Sequence, residues 1–432
     1  MKKLIGLSVL VLVLSVFVLG SFAFAKNITL KYWMWDPQLS DEVHKLIAKF
    51  ESQYPGVKVE LTAMAPKDYW TKIRIAASTK KLPDVFNMSS GFLEEWAQKG
   101  FLKDLTDYVN KDIDPNKYFI NLFDAGKKIS GTDKYYAVPF ALVATVLYFN
   151  KDMFDEAGLS YPNSNWTWDD FLKAAKALTK DKDGDGKIDQ WGYYFYGRYA
   201  NIEPWIYRNS GYLIDRKKMR FAPNDNAMET IKFLISLVKE HKVAPMPKLM
   251  SGIRSKDVFP RGLTAMWIDG SWNIRNNRKV IGNKFRWGIA EVPMGPHKAP
   301  DVAFGWPDFI AMSKFTKNTD MAWKFIKFAS GEGLTLDMYM AGKIPSYKPL
   351  TLSEAFLEKG KQPAEKGLLI KIAAKKMLNS FTKGWSEWRG YGGAEKMGLN
   401  GALDSILNGE SFDKVWPSAV KYINKVLARY YK

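Results

Sequence analysis

The chain contains no cysteine in 432 residues. Disulfides, thiolate catalysis, zinc ribbons and iron–sulfur clusters are thereby excluded. Histidine is nearly absent too, with only His44, His241 and His297, which read as surface imidazoles rather than a catalytic set. No GxxxxGK[ST] phosphate loop occurs, so ATP hydrolysis is not expected, and no GxGxxG follows a strand. No GxSxG nucleophile elbow is present. Glutamine stands only at 38, 53, 98, 190 and 362. Few glutamines, no cysteine and many lysines lean towards a thermophilic source.

Long apolar runs are missing after residue 25, so no later segment is expected to span a bilayer. Before it, Lys2 and Lys3 precede an apolar run from Leu4 to about Phe22, and Ala23-Phe24-Ala25 supplies an A-x-A site. This reads as a secretory signal peptide over 1–25, cleaved after Ala25; a retained anchor is the competing reading. No cysteine follows the run, so a lipoprotein is not expected. The mature chain is expected in the periplasm or outside the cell. Losing Lys2 and Lys3 lowers the net charge by two, from +19 to +17. Export and the even spread of lysine argue against nucleic acid and for a solvated basic surface.

What is present alternates in type. ITLKYWMW (28–35), VKVEL (57–61) and LPDVFNM (82–88) read as strands, separated by helices starting near Ser40 and Asp68. Ser40 is the expected cap of the first, whose apolar face is Val43, Leu46, Ile47 and Phe50. GTDKYYAVPF (131–140) reads as a turn and a strand ending at a proline, and ALVATVLYFN (141–150) as a further strand. Thr167 and Asp170 form a variant capping box. Later helices are expected at about 226–241, 319–330, 364–379, 394–407 and 412–430. Such alternation implies an α/β fold. Pro139-Phe140, 292–300 and 341–349 are the Pro/Gly-rich breaks that suit crossings between two lobes.

Two features carry chemistry. In DKDGDGKID (181–189), Asp181, Asp183 and Asp185 stand at alternate positions before Gly186, with Lys187 and Asp189 completing the candidate ligand set. This matches the start of a calcium loop, although the twelfth position is Gly192 rather than glutamate. An ordinary acidic turn is the alternative; a calcium ion here would be structural, and no other cofactor is required. The second feature is aromatic. Sixteen tryptophans occur, many at strand ends or in glycine-flanked loops, among them Trp35, Trp205, Trp272 and Trp306. GWSEWRGYGG (384–393) adds Trp385, Trp388 and Tyr391, expected to be exposed. Flat rings suit the C–H faces of sugars, and carboxylates, Asn and Arg suit the hydroxyls. Each ring taken alone also fits a core position.

The segment YYAVPFALVATVLYFNKDMFDEAGLSYPNSNWTWDDFLKAAKALT (135–179) resembles the family 1 extracellular solute-binding proteins, the carbohydrate receptors of bacterial ATP-binding cassette importers. LPDVFNM (82–88), GFLKDLT (100–106) and FPRGLTAMWIDGSW (259–272) extend the likeness. The resemblance implies a two-lobed periplasmic-binding-protein-like fold of type II, each lobe a sheet flanked by helices, with the ligand between them. It implies a first lobe of 26–139 with 299–343 and a second of 140–298 with 344–432. It implies ligand contacts at Glu203 and Trp205 in IEPWIYRNSGYLID, at Trp272, at Asn87 and Ser89 after the PDV strand, and at Trp35 and Asp36. Trp385 and Arg389 resemble a Trp-x-x-x-Arg pair of the family. The implied protein is a non-catalytic monomer that delivers an oligosaccharide to membrane permease subunits. Two alternatives stay open: a secreted glycoside hydrolase, whose paired carboxylates, about 5 to 10 Å apart, would be Glu203 and Asp269; and the same receptor fold carrying an anionic non-sugar solute.

Overall fold

Fourteen consecutive buried residues, Ala137–Asn150, form the strand around which the protein is built. The computed structural model describes residues 27–335, 342–390 and 398–431; the expected signal peptide and Tyr391 lie outside them. In chain order the strands are β1 (Ile28–Met34), β2 (Val57–Ala63), β3 (Val85–Ser89), β4 (Ala137–Asn150), β5 (Trp191–Tyr194), β6 (Ile214–Asp215), β7 (Arg220–Phe221), β8 (Thr264–Gly270), β9 (Trp287–Ala290), β10 (Val302–Met312), β11 (Ile344–Pro345) and β12 (Lys376–Leu378). One sheet runs β2-β1-β3-β10-β4-β8-β5, with β9 and β11 also on β4 and β12 on β10. Strands β6 and β7 pair separately.

The two long strands serve both halves of this sheet. β4 pairs antiparallel with β10 from Ala137 to Ala144, then with β8 and β9 from Thr145 to Asn150. β10 pairs with β12 at Val302–Phe304 and with β3 at Asp308–Met312. An apolar run without alternation is what a strand covered on both faces requires. The separate strands expected on either side of Pro139-Phe140 are therefore one. Proline has no N–H for the ladder, and the register there slips: Asp308 faces Ala141 while Phe309 faces Pro139, so Phe140 is bulged out.

Helices cover both faces. On one face a single apolar core runs under both halves, from Leu30, Val43, Leu46, Ile47 and Phe50 through Leu142 to Tyr148, Trp267 and Trp287. On the other face there are two cores. One, around Trp35, Trp70, Phe92 and Trp96, belongs to the β1–β3 half. The other, around Phe171, Trp205, Trp306 and Trp385, belongs to the β8 and β5 half. The gap between them is where a ligand can enter.

Local signals mostly hold. Thr167 Oγ1 accepts from the Asp170 N–H, and an Asp170 carboxylate oxygen accepts from the Thr167 N–H, completing the capping box of helix Trp168–Leu178. Ser40 is not the cap of its helix: it is already helical, and its hydroxyl donates to Pro37 O at 2.7 Å. The helix expected at 364–379 shrinks to Leu368–Ala373, because Lys376–Leu378 gains ladder bonds by pairing with β10. Tertiary pairing there outweighs helix propensity.

Candidate functional site

The gap between the two cores of this second face is a cleft of about 760 Å³. Its first wall comes from the β1–β3 half. Trp35 follows β1, Trp70 comes from helix Pro66–Ser78, and Phe92 from helix Ser90–Gln98. These rings form an arc: Trp70 stacks on Phe92 at 4.1 Å and on Trp35 at 5.6 Å between centroids. Ser89, at the end of β3, caps the second of these helices by accepting from the Gly91 N–H.

The opposite wall is a second arc. Trp272, just beyond β8, lies 5.8 Å from Trp306 of β10; Trp306 lies 5.4 Å from Phe381; Phe381 meets Trp385 edge-on at 4.8 Å. Tyr199 joins it, 5.6 Å from Trp306 and 5.2 Å from Trp385. Arg198 lies 5.4 Å from the ring centroids of both Tyr199 and Trp272. It is held there by Asp269, 2.8 Å away and fully buried. Burial pushes the Asp269 carboxyl up, while Arg198 and the Gly270 N–H pull it back.

The floor is charged. Lys343 Nζ lies 2.7 Å from Asp36 and 3.1 Å from Asp308, and all three border the cleft. Asp36 also accepts from Gln38 at 3.0 Å. Burial raises the Asp308 carboxyl, with Lys343 opposing. Burial also works against the Lys343 ammonium, but its two carboxylates outweigh that and raise it.

Of the residues singled out in the sequence, Trp35, Asp36, Ser89, Trp272, Trp306 and Trp385 border this cleft. The other four lie elsewhere. Asn87 sits inside β3, where its side chain accepts from the Tyr32 hydroxyl at 2.7 Å within the first half's interior. Glu203 and Arg389 form an ion pair with each other, at 1% and 0% side-chain exposure. The Ser380 and Tyr207 hydroxyls also donate to Glu203, at 2.7 and 3.1 Å. Trp205 is fully buried, its indole N–H on the Tyr193 hydroxyl at 3.2 Å. Helix Tyr199–Arg208 is buried along its length, and positions two apart on a helix do not share a face. The residue of this helix that reaches the cleft is Tyr199, one turn before Glu203.

Trp385, expected to be exposed, is buried at 3% exposure although it borders the cleft, and Trp388 is a correction too. It is fully buried and donates to Thr382 Oγ1 at 2.8 Å. Gly384 and Gly390 do not mark an exposed loop. Gly384 and Gly390 have φ of +70° and +76° and bracket the short helix Trp385–Arg389. A Cβ on Gly384 would lie 2.4 Å from the Tyr430 ring. These glycines let the chain turn and let a ring approach.

Sequence reasoning missed Trp70, Phe92, Tyr199, Phe381, Lys343 and Asp308. Trp70 and Phe92 sit at ordinary core spacing on their helices, so periodicity gave no signal. Asp308 was detectable, because it is two residues beyond Trp306 on one strand and so shares its face.

A larger concavity of about 1010 Å³ opens elsewhere in the β1–β3 half, beside Tyr108 and Trp323. Its rings face each other at 5.2 Å, and their polar atoms are held by Asp320 and Asp112. The cleft is the better candidate because both halves of the sheet and both long strands contribute to it.

In the acidic loop, carboxylate oxygens of Asp181, Asp183 and Asp189 lie within 4.8 Å of one another and are exposed. Asp185 instead pairs with the Lys187 ammonium at 2.9 Å. Gly192 belongs to β5 and packs against Ala175, where a Cβ would lie 2.1 Å from the carbonyl oxygen. Three carboxylates thus converge and fit a hard cation, while the fourth is turned to lysine.

Among the described residues no helix is long and apolar enough to cross a membrane. Two curated relatives align with about three quarters of the chain or a little less. A galactooligosaccharide-binding protein of Bacillus subtilis is 25% identical over 335 residues, 75% of this chain and 74% of its own. A multiple sugar-binding protein of Streptococcus mutans is 24% identical over 319 residues, 70% and 71% respectively. In fold, the chain matches an ABC substrate-binding protein of Listeria monocytogenes solved with cycloalternan, at a TM-score of 0.79 and 24% identity over 93% of this chain and all of that one. That fold has two lobes, and residues 36–334 match the bacterial extracellular solute-binding protein family. The chain belongs to that family.

Proposed function

We propose that this protein is an exported, non-catalytic receptor that captures an oligosaccharide between its lobes and presents it to the permease of an ABC importer. One observation carries the reading: two arcs of aromatic rings, one from each half of the sheet, line a single cleft of about 760 Å³. Opposed flat rings complement the two C–H faces of a pyranose, and closing the lobes would bury both. The sugar ligands named for the relatives support the same reading.

The chain crosses between lobes, on this reading, within β4, within β10 and at β11. Residues 1–25 serve as a cleaved export signal without a lipid anchor, the receptor is a monomer, and the acidic loop holds a structural calcium ion. Hydrolysis is disfavoured by the state of the carboxylates. Glu203 and Asp269 are each buried against an arginine, and Asp36 and Asp308 both hold Lys343. None is placed to act as a free acid paired with a free base.

Tryptophan fluorescence titrated with a panel of di- to hexasaccharides tests the proposal. A saturable change with at least one member, and intact sugar recovered after long incubation, is the expected result. Folded protein that responds to none, or a ligand recovered as shorter products, would overturn it.

A further inference from the structure

The lip of the cleft on the β8 side carries positive charge that, unlike the lysine of the floor, is not paired. Lys256 stands in the turn Ser255–Asp257, and Arg275 and Lys279 stand four apart on helix Ile274–Ile281, hence on one face. Asn276 donates to Lys256 O at 3.2 Å and ties the turn to the helix. All three cations border the cleft and are exposed, and among the described residues none has a carboxylate within ion-pair distance.

The other charges around the cleft are matched. Arg198 is held by Asp269, Arg254 by Asp257 at 2.6 Å, and Lys343 by Asp36 and Asp308. The chain as a whole has 64 basic and 45 acidic residues. A surface of average composition would therefore bring carboxylates to this lip as well. Among the described residues, the only carboxylates bordering the cleft are the two committed to Lys343. Neutral sugars offer hydroxyls, which the lining meets with the amides of Gln38, Asn273 and Asn276 and not with a free carboxylate. A row of unmatched ammonium and guanidinium groups beside aromatic rings favours a sugar that itself carries negative charge.

Resting on the carbohydrate reading of the cleft, we infer that the cargo is an acidic oligosaccharide. Its ring faces stack between the two aromatic arcs, and a uronate carboxylate meets Lys256, Arg275 and Lys279 at the lip. The same cations raise the local concentration of an anionic ligand, an effect that salt screens.

Isothermal titration of the purified protein with matched sugars tests this. The pairs are galactotriose against trigalacturonate, and xylotetraose against xylotetraose bearing a glucuronic acid branch. The uronate of at least one pair is expected to bind about tenfold or more tighter than its neutral partner at low salt. That ratio should shrink in 0.5 M NaCl, about a 4–5 Å screening length. It should also fall towards one in the combined variant Lys256→Gln, Arg275→Gln, Lys279→Gln, with folding checked by circular dichroism. Neutral sugars binding as tightly as their uronates would overturn this inference and leave the carbohydrate receptor standing. Citrate or another non-sugar anion binding while every sugar fails would overturn both.

Discussion

Lys343 sets its ammonium 3.1 Å from Asp308 at the floor of the cleft, with 9% of the lysine side chain exposed. Lys343→Met keeps the stem but leaves Asp308 and Asp36 facing each other without a cation. Removing one partner of a buried pair costs about 3–5 kcal/mol. Burial already raises the Asp308 carboxyl. Its contribution is thus fully present below the unfolded value, about 3.9, and is lost as pH rises through the folded value. Lys343, also raised, contributes fully below about 10.4 and loses its contribution only as pH climbs through its higher folded value. Denaturant melts should show the variant's deficit as large near pH 7 and shrinking towards pH 4. A deficit that does not vary with pH would contradict this account.

Trp385 and Trp388 are three residues apart and should separate cleanly on substitution. Trp385→Phe is expected to weaken sugar binding about tenfold, roughly 1.4 kcal/mol. Trp388→Phe loses the hydrogen bond to Thr382 and leaves a void, costing about 1–3 kcal/mol of stability. Its sugar affinity should stay within about twofold once the protein is folded. Paired calorimetry and urea melts give both quantities.

Gly270 ends β8 with the Trp272 ring over its Cα, so that a Cβ would lie 1.9 Å from the ring. Gly270→Ala must displace Trp272 from the wall. Affinity should fall at least as far as in Trp272→Ala, with overpacking costing about 1–3 kcal/mol besides. A crystal structure of the variant with its ring unmoved would refute the argument.

If Asp181, Asp183 and Asp189 hold calcium, adding chelator should lower the melting temperature. A ligand at a hundred times its dissociation constant stabilises by about 2.7 kcal/mol. The double variant Asp181→Asn, Asp183→Asn should melt at the chelated temperature and no longer respond. An unresponsive wild type, with no metal by elemental analysis, returns the segment to an ordinary acidic turn.

The fold was legible where local chemistry and tertiary structure agree. The apolar run 141–150 and the Thr167–Asp170 box announce themselves, and both stand. The candidate site was legible along strands, where Trp35, Asp36, Ser89 and Trp272 at strand ends and Trp306 within β10 border the cleft. Of the residues singled out on helices, only Trp385 reaches the cleft. Trp205 and Tyr199 are both aromatic and both on one buried helix, and only the packing of that helix decides which meets the cleft. Trp388 failed for another reason: a glycine beside a large ring was read as openness, whereas here it marks close approach by a neighbour. Lys343 was hidden because its two carboxylates are distant in sequence, at 36 and 308.

β4 and β10 pass from one half to the other side by side, paired over Ala137–Ala144 and Gly305–Ala311 with Phe140 bulged out, and β11 adds a third short rung at Leu142 and Ala141. A joint of this kind works as a leaf spring. It flexes out of the sheet plane with little change in its ladder, but sliding or shearing would break its bonds together. A bend there would carry each half as a unit, with its own set of rings. Uptake and release would then require a bend in this joint and a break in the contacts that reach across outside the sheet, among them Tyr431 on Glu94 and Lys383 on Gln98.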